Sequence, residues 1–283
     1  MHTANVNGFH IAYQRAGSGP PLVLLHGALG DSRDWRRQIE GLQDSLTVVA
    51  WDAPGCGQSS DPPESFSSGD YADTLAEFID SLDISAAHIL GLSWGGGLAL
   101  ELYDRHPDIV ASLILADTYA GWKGSLPEEE VQRRLDSCLR ESEMAPEEFV
   151  PDWLPGLVTD AASEELRNEI LETMSSFHPA GFRAMVRGFA ELDLRPVLPR
   201  IAVPTLLIWG EEDRRSPLSN AETICDSIPG ARLVVIPNAG HMSNMEQPER
   251  FNDEVRRFIT SLENRHGQGR PRGITVRKHH ADR

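Results

Sequence analysis

A serine in a glycine-rich frame is the first residue with chemistry to offer. Gly91-Leu92-Ser93-Trp94-Gly95 fits the pattern G-x-S-x-G, with an apolar run before it and a helical pattern after it. A sharp strand-to-helix turn needs small flanking residues, and it lifts the hydroxyl clear of the sheet over the N-terminus of the next helix. Gly91, Gly95, Gly96 and Gly97 supply them. Short glycine motifs also occur at ordinary turns, so the serine needs partners. A hydroxyl attacks well only when a base takes its proton, and that base needs an acid to hold its tautomer. His241, in Asn238-Ala239-Gly240-His241, follows the last apolar run. Asp213, in Gly210-Glu211-Glu212-Asp213, follows the run before it. Both are predicted in loops at C-terminal strand ends, on the same edge as Ser93. Asp117, after the Val110–Ala116 run, is the alternative acid. Glu211 and Glu212 are out of step by one or two residues.

Attack on a carbonyl builds negative charge on its oxygen, which calls for two aimed N–H donors. The predicted donors are the backbones of Trp94 and Ala28, the latter in the loop His26-Gly27-Ala28-Leu29-Gly30. His26 is expected to brace that loop. His88 is expected at the solvent end of its strand, His106 at a helix C-terminus and His178 on the surface.

The elements that must position these groups follow from apolar patterning. Pro21–His26, Leu46–Trp51, Ala87–Leu92 and Val110–Ala116 read as strands buried on both faces, with Phe9–Arg15 a weaker one. Tyr71, Leu75, Phe78, Ile79 and Leu82 recur at helical spacing, and Gly95–His106 is a second helix stopped by Pro107. Strands alternating with helices imply a mainly parallel sheet covered on both sides. From Gly121 to Arg195 the pattern is helical without buried strands, over Glu128–Glu143, Ser163–Ser175 and Pro179–Leu192. Pro146, Pro151, Pro155 and Pro179 punctuate it. Strands resume at Thr205–Trp209 and Arg232–Ile236, and Gln247–Leu262 closes the chain as a helix. The fold class is therefore α/β, with a helical insertion between the sixth and seventh strands.

The chain has 283 residues, with 26 Lys and Arg against 43 Asp and Glu and a formal charge of −17. That balance speaks against nucleic acid or anionic lipid as a partner. Six bases and one acid from Arg265 onward give that tail about +5, leaving about −22 for the rest. The tail is expected to be flexible. Cys56, Cys138 and Cys225 are an odd number without metal-ligand spacing, which suits a reducing compartment. The polar N-terminus shows no secretion signal and no apolar run is long enough to span a membrane, so a cytoplasmic location is expected.

His26-Gly27, Asp52-Ala53-Pro54-Gly55-Cys56-Gly57-Gln58-Ser59, the Ser93 turn, Trp209-Gly210-Glu211-Glu212-Asp213 and Gly240-His241 stand in the order of the landmarks of the α/β-hydrolase fold family. The chain resembles that family over about residues 5 to 264. Within it, the segments His241–Pro248 and Gly181–Thr205 are most similar to the 3-oxoadipate enol-lactonase-like and small esterase branch. Trp94, where that branch often has methionine, and Cys56 between glycines depart from it. The resemblance implies a core over 1–120 and 196–264, a cap over 121–195 and a tail over 265–283.

It also implies a serine hydrolase of a carboxylic ester or lactone. Ser93 is the nucleophile, His241 the base and Asp213 its orienting acid, working through an acyl-enzyme with no cofactor and no metal. The expected partner is a small, mostly apolar substrate, and the protein a monomer or homodimer. Carbon–carbon bond hydrolysis, cofactor-free perhydrolysis and a ligand-receptor role remain as alternatives. Trp122, Trp153, Phe177, Phe182, Met185 and Phe189 are expected to line the acyl pocket. The acidity of the cap opposes a polyanionic substrate unless Arg183 or Arg187 points inward.

Overall fold

A computed structural model describes residues 1–268 of the chain. Eight strands form one sheet in the order β1-β2-β4-β3-β5-β6-β7-β8. β1 (His2–Val6) and β2 (Phe9–Ala16) are antiparallel to their neighbours. β3 (Pro21–Leu25), β4 (Thr47–Trp51), β5 (Ala87–Leu92), β6 (Val110–Ala116), β7 (Thr205–Gly210) and β8 (Arg232–Ile236) run parallel. β1 was not predicted. Its exposed, polar pattern lacks the apolar run of the central strands, and it makes Val110–Ala116 the sixth strand.

Alternate residues along the central strands feed two cores, as the two-residue period of a strand requires. Val23, Leu25 and Ile89 pack on one face with α2 (Ser68–Ser81), α3 (Trp94–Arg105) and α8 (Leu218–Ser227). Leu22, Leu24 and Leu90 pack on the other with α1 (Arg36–Leu42) and α10 (Pro248–Gln268). A short α9 (Ser243–Glu246) precedes α10. α1 and α8 were not predicted, because each offers only two or three buried side chains to a pattern search. Both α3 and α2 lie where they were predicted. His88, expected at a solvent end, is instead buried, with Nδ1 2.8 Å from Ser112 Oγ.

Four helices stand between β6 and β7: α4 (Glu128–Glu141), α5 (Pro146–Leu157), α6 (Glu164–Ser175) and α7 (Pro179–Glu191). The prolines taken as punctuation conceal α5. Pro146 occupies its first turn, where no intrahelical donor is lost. Pro151 and Pro155 stand four apart and exposed, so they share one face, and that face is open to solvent.

α10 continues to Gln268, past the predicted start of the tail at Arg265, and residues 269–283 lie outside the described residues. Among the described residues no helix is long and apolar enough to cross a membrane.

Candidate active site

The parallel register brings five strand ends to one edge. Leu25 pairs with Gly91, Gly91 with Leu115, Ala116 with Ile208 and Gly210 with Ile236. The loops leaving β3, β5, β6, β7 and β8 therefore emerge side by side.

Ser93 sits between β5 and α3 with φ 54° and ψ −119°, a region non-glycine residues rarely occupy. The turn is held from several sides. The Ser93 amide donates to Ala116 O at 2.9 Å, and the Gly96 amide and Thr118 hydroxyl donate to Ser93 O. Only glycine fits at 91 and 95. A Cβ on Gly91 would stand 2.1 Å from Gly95 O, and one on Gly95 would stand 2.2 Å from Leu25 O.

Asp213 follows β7 and is buried. Its Oδ1 accepts from the amides of Arg215 (2.8 Å) and Ser216 (2.9 Å), and its Oδ2 lies 2.9 Å from His241 Nδ1. The Nδ1–H of His241 is thereby directed at the carboxylate, and Nε2 is the nitrogen left for other work. Asp117 does not take this place. Its carboxylate accepts from Gly210 N (2.7 Å) and Ser243 Oγ (2.5 Å), tying β7 to the segment after His241. Burial, with the charge of Asp213 adding to it, pushes the Asp117 carboxyl well up from its ordinary value.

His26 braces its loop as expected. Its Nδ1 faces Gly27 O at 2.8 Å and its Nε2 accepts from Ala53 N at 3.1 Å. Burial lowers its pKa from the ordinary histidine value. Ala28 lies in this loop on the cavity wall beside Ser93. Trp94 is the first residue of α3, where an amide has no intrahelical acceptor. Neither the Ala28 nor the Trp94 amide donates to another group among the described residues. The Trp94 ring is buried edge-on against Tyr71, with centroids 5.1 Å apart.

Ser93, Trp94, Ala28 and His241 share a cavity of about 800 Å³, counting its open mouth. Trp122, Trp153 and Phe189 line it. Phe182, Met185 and Phe177 do not. They border a separate, smaller cavity beside Leu29–Asp31 and Gly55–Gly57.

The cause is a backbone contact. A Cβ on Gly55 would stand 2.4 Å from Gly181 Cα, so the start of α7 lies directly on that loop. Met185 turns down to Cys56, with sulfurs 3.9 Å apart, and Phe182 packs edge-on against Trp153 and Phe177. Val186 and Phe189, further along α7, face the cavity instead.

Three charged residues on the cavity wall escaped the sequence reading: Asp34, Arg134 and Arg215. Burial, with Asp31 adding to it, pushes the Asp34 carboxyl well up from its ordinary value. The Arg215 guanidinium lies 4.0 Å from the Trp153 ring centroid, and burial lowers its pKa, with Arg134 adding to the effect. Arg134 reaches over Tyr119 and Trp122 and bonds Glu130 at 2.7 Å. Arg183 and Arg187, the cations considered beforehand, stand elsewhere. Arg183 pairs with Glu64 at 3.4 Å, and Arg187 lines a surface groove. Only Arg215 carried a sequence signal, its place two residues after Asp213. The side of α4 that bears Arg134 depends on how the helix docks.

Residues 22–254 match the model of a family described as the alpha/beta hydrolase family. A 3-oxoadipate enol-lactonase of Acinetobacter baylyi is 28% identical over 239 residues, covering 83% of this chain and 87% of its own. An uncharacterised protein of Mycobacterium tuberculosis is 31% identical, covering 91% and 80%. Among solved structures, a thermophilic esterase from Thermogutta terrifontis superposes with TM-score 0.86 at 29% identity, covering 92% of this chain and 98% of that one. The enol-lactonase from Burkholderia xenovorans gives 0.82 at 25% identity, covering 92% and 100%.

Proposed function

We propose that this chain, which belongs to the alpha/beta hydrolase family, is a serine hydrolase that cleaves carboxylic esters or lactones through an acyl-enzyme. The carrying observation is the 2.9 Å contact of Asp213 Oδ2 with His241 Nδ1, in a cavity that His241 shares with the strained Ser93.

His241 Nε2 takes the proton of Ser93 as its oxygen attacks the acyl carbonyl. Asp213 holds the imidazole tautomer and stabilises the imidazolium that forms. The amides of Ala28 and Trp94 donate to the oxygen that becomes negative. The tetrahedral intermediate collapses as His241 gives its proton to the leaving alkoxide. Water, deprotonated by the same histidine, then attacks the acyl carbon and frees the acid, and the proton returns to Ser93. The helices between β6 and β7 act as the cap. Trp122, Trp153 and Phe189 give the acyl chain an apolar wall, which suits a small, mostly apolar group. The esterase and enol-lactonase among its relatives support hydrolysis at a carbonyl.

A panel of 4-nitrophenyl esters and aliphatic lactones tests the reading. Wild type is expected to turn over members of the panel, and Ser93→Ala to lose about 10⁴-fold or more in kcat. Ester turnover by Ser93→Ala near the wild-type rate would overturn it.

A further inference from the structure

Asp34 stands on the wall of the active-site cavity, and among the described residues its carboxyl bonds to nothing. Its backbone is employed: the amide donates to Asp31 O at 3.1 Å, and the carbonyl accepts from Asn244 Nδ2 at 3.0 Å. The acids around it are engaged too. Asp31 takes Arg33 Nη2 at 2.6 Å, Asp52 takes the amides of Ser32 and Gln58, and Glu169 takes Arg37. Asp34 is only 5% exposed. Its oxygens are nevertheless not sealed in. Among the described residues, the enclosed side-chain polar atoms without a partner belong to Trp35, Trp51, Asn244 and Asn252. The surface left to the Asp34 carboxyl is therefore cavity surface.

The carboxyl rests on the loop that carries Ala28. A Cβ on Gly30 would stand 2.2 Å from Asp34 Oδ2, so glycine at 30 makes room for the acid. Gly30 N closes the turn onto Gly27 O at 3.2 Å, and Gly27 lies against the nucleophile, where a Cβ would stand 3.4 Å from Ser93 Cβ. One turn of chain thus joins Asp34 to the Ser93 side of the cavity. Leu157, Ile170, Met174 and Met242 supply apolar wall to the same cavity.

An unpaired carboxyl in such surroundings is costly to bury, most of all as an anion. Burial raises its pKa, with Asp31, Glu169 and Asp52 adding to the effect and Arg33 opposing it. A carboxyl in its acid form keeps an O–H, and with it a hydrogen-bond donor. No step through Ser93, His241 and Asp213 uses that donor.

We propose that Asp34 is a specificity-determining residue whose carboxyl O–H donates to an uncharged acceptor oxygen of the substrate, so that the preferred ester or lactone carries an ether or carbonyl oxygen away from the scissile bond. This rests on the serine hydrolase reading above and narrows its substrate from a plain hydrocarbon chain to one with a single buried oxygen. An apolar pocket alone disfavours such an oxygen, because it leaves water without a new bond. A donor fixed on the wall reverses that preference, and a chain lacking the oxygen leaves the donor unpaired.

The test exchanges one CH2 for oxygen. 4-Nitrophenyl esters of straight-chain acids are set against their ether analogues, with the oxygen moved stepwise from the fourth chain atom outward, where it no longer activates the carbonyl. A second series places the ether in the alcohol part, with acid release followed by a pH indicator. The readout is the ratio of kcat/KM for the ether over the CH2 member, each corrected for uncatalysed hydrolysis. In wild type the ratio is expected to exceed one at one position in one of the series. It should fall about five- to tenfold in Asp34→Leu, which keeps the bulk and loses the O–H, and stay within about threefold of wild type in Asp34→Asn, which keeps a donor. A disturbed loop would slow both members alike and leave the ratio unchanged.

A wild-type ratio at or below one at every position, as an ionised Asp34 would give by repelling the oxygen, overturns the assignment. So does a ratio unchanged in Asp34→Leu. Ester turnover through Ser93 stands in both cases. Absence of Ser93-dependent turnover of every ester would instead overturn the hydrolase reading beneath it.

Discussion

The sheet edge and the helical insertion hold their side chains by different means. At the edge, acids locked by backbone donors do the work. Asp52 accepts from Ser32 N and Gln58 N, both at 2.9 Å, Asp213 accepts from amides of its own loop, and Asp117 accepts from Gly210 N at the end of β7. In the insertion, aromatic rings pack edge to face and acids take arginines that reach across from the core, as Glu169 does from Arg37 at 2.7 Å. Hydrogen bonds set angles as well as distances, whereas apolar packing sets mainly volume. On the proposed mechanism, bond-making falls to the edge, where geometry is tight, and selection of the acyl chain to the insertion. Glu246 joins the two. Its carboxylate accepts from Thr159 N (2.9 Å) and Thr159 Oγ1 (2.7 Å) in the insertion and from Gly240 N (2.6 Å) beside His241.

Substitutions at the edge should sort by which acid is touched. Asp213→Asn presents the wrong tautomer to His241 and is expected to lower kcat by about 10³- to 10⁴-fold. Asp117→Asn should cost tenfold or less, since Asp117 contacts neither ring nitrogen. Equal losses in steady-state assays would break the distinction between the two. Glu246→Gln keeps the size but replaces one accepting oxygen by a donor. Its kcat should drop about tenfold, because one lost charge-assisted bond is worth ~1.5–3 kcal/mol and part of that reaches the histidine loop. Trp153→Ala, in the insertion, should raise KM for long acyl chains severalfold and leave kcat within about threefold, as a loss of uniform binding does. A matching fall in kcat would mean that the insertion also sets reaction geometry.

The smallest effect concerns Asp34. Its carboxyl is raised in the folded state, so it contributes stability that is full below the unfolded value near 3.8 and is lost as pH rises through the folded value. An asparagine amide in its place does not titrate. The melting temperature of Asp34→Asn relative to wild type should therefore rise by a few degrees between pH 4 and pH 8, at ~2–4 °C per kcal/mol for a chain of this size. A difference that stays flat with pH would show that Asp34 is ionised in the fold.

The two regions were not equally legible in the sequence. Buried parallel strands are continuous apolar runs, and the turn chemistry of Gly91–Gly95 is local, so β3 to β8 and the places of Ser93, Asp213 and His241 could be read directly. The insertion was harder because its side-chain directions depend on docking. Helical spacing groups Phe182, Met185 and Phe189 on α7, but only the approach of Gly181 to Gly55 decides that the first two turn away. Pro151 and Pro155 read as breakers because their exposure on one face of α5 is a tertiary fact. Net charge is uninformative here for a similar reason: an average over 283 residues does not place Arg134 and Arg215 on the cavity wall.

The central claim is that Ser93 carries the acyl group between two half-reactions. The direct measurement is intact-protein and peptide mass spectrometry after brief mixing with a slowly deacylating 4-nitrophenyl ester, quenched in acid. The account predicts one added acyl mass per chain, mapped to the peptide bearing Ser93, absent from Ser93→Ala and decaying at the rate of turnover. Turnover in wild type with no adduct on Ser93, or with an adduct on another side chain that forms and decays at the catalytic rate, would contradict it.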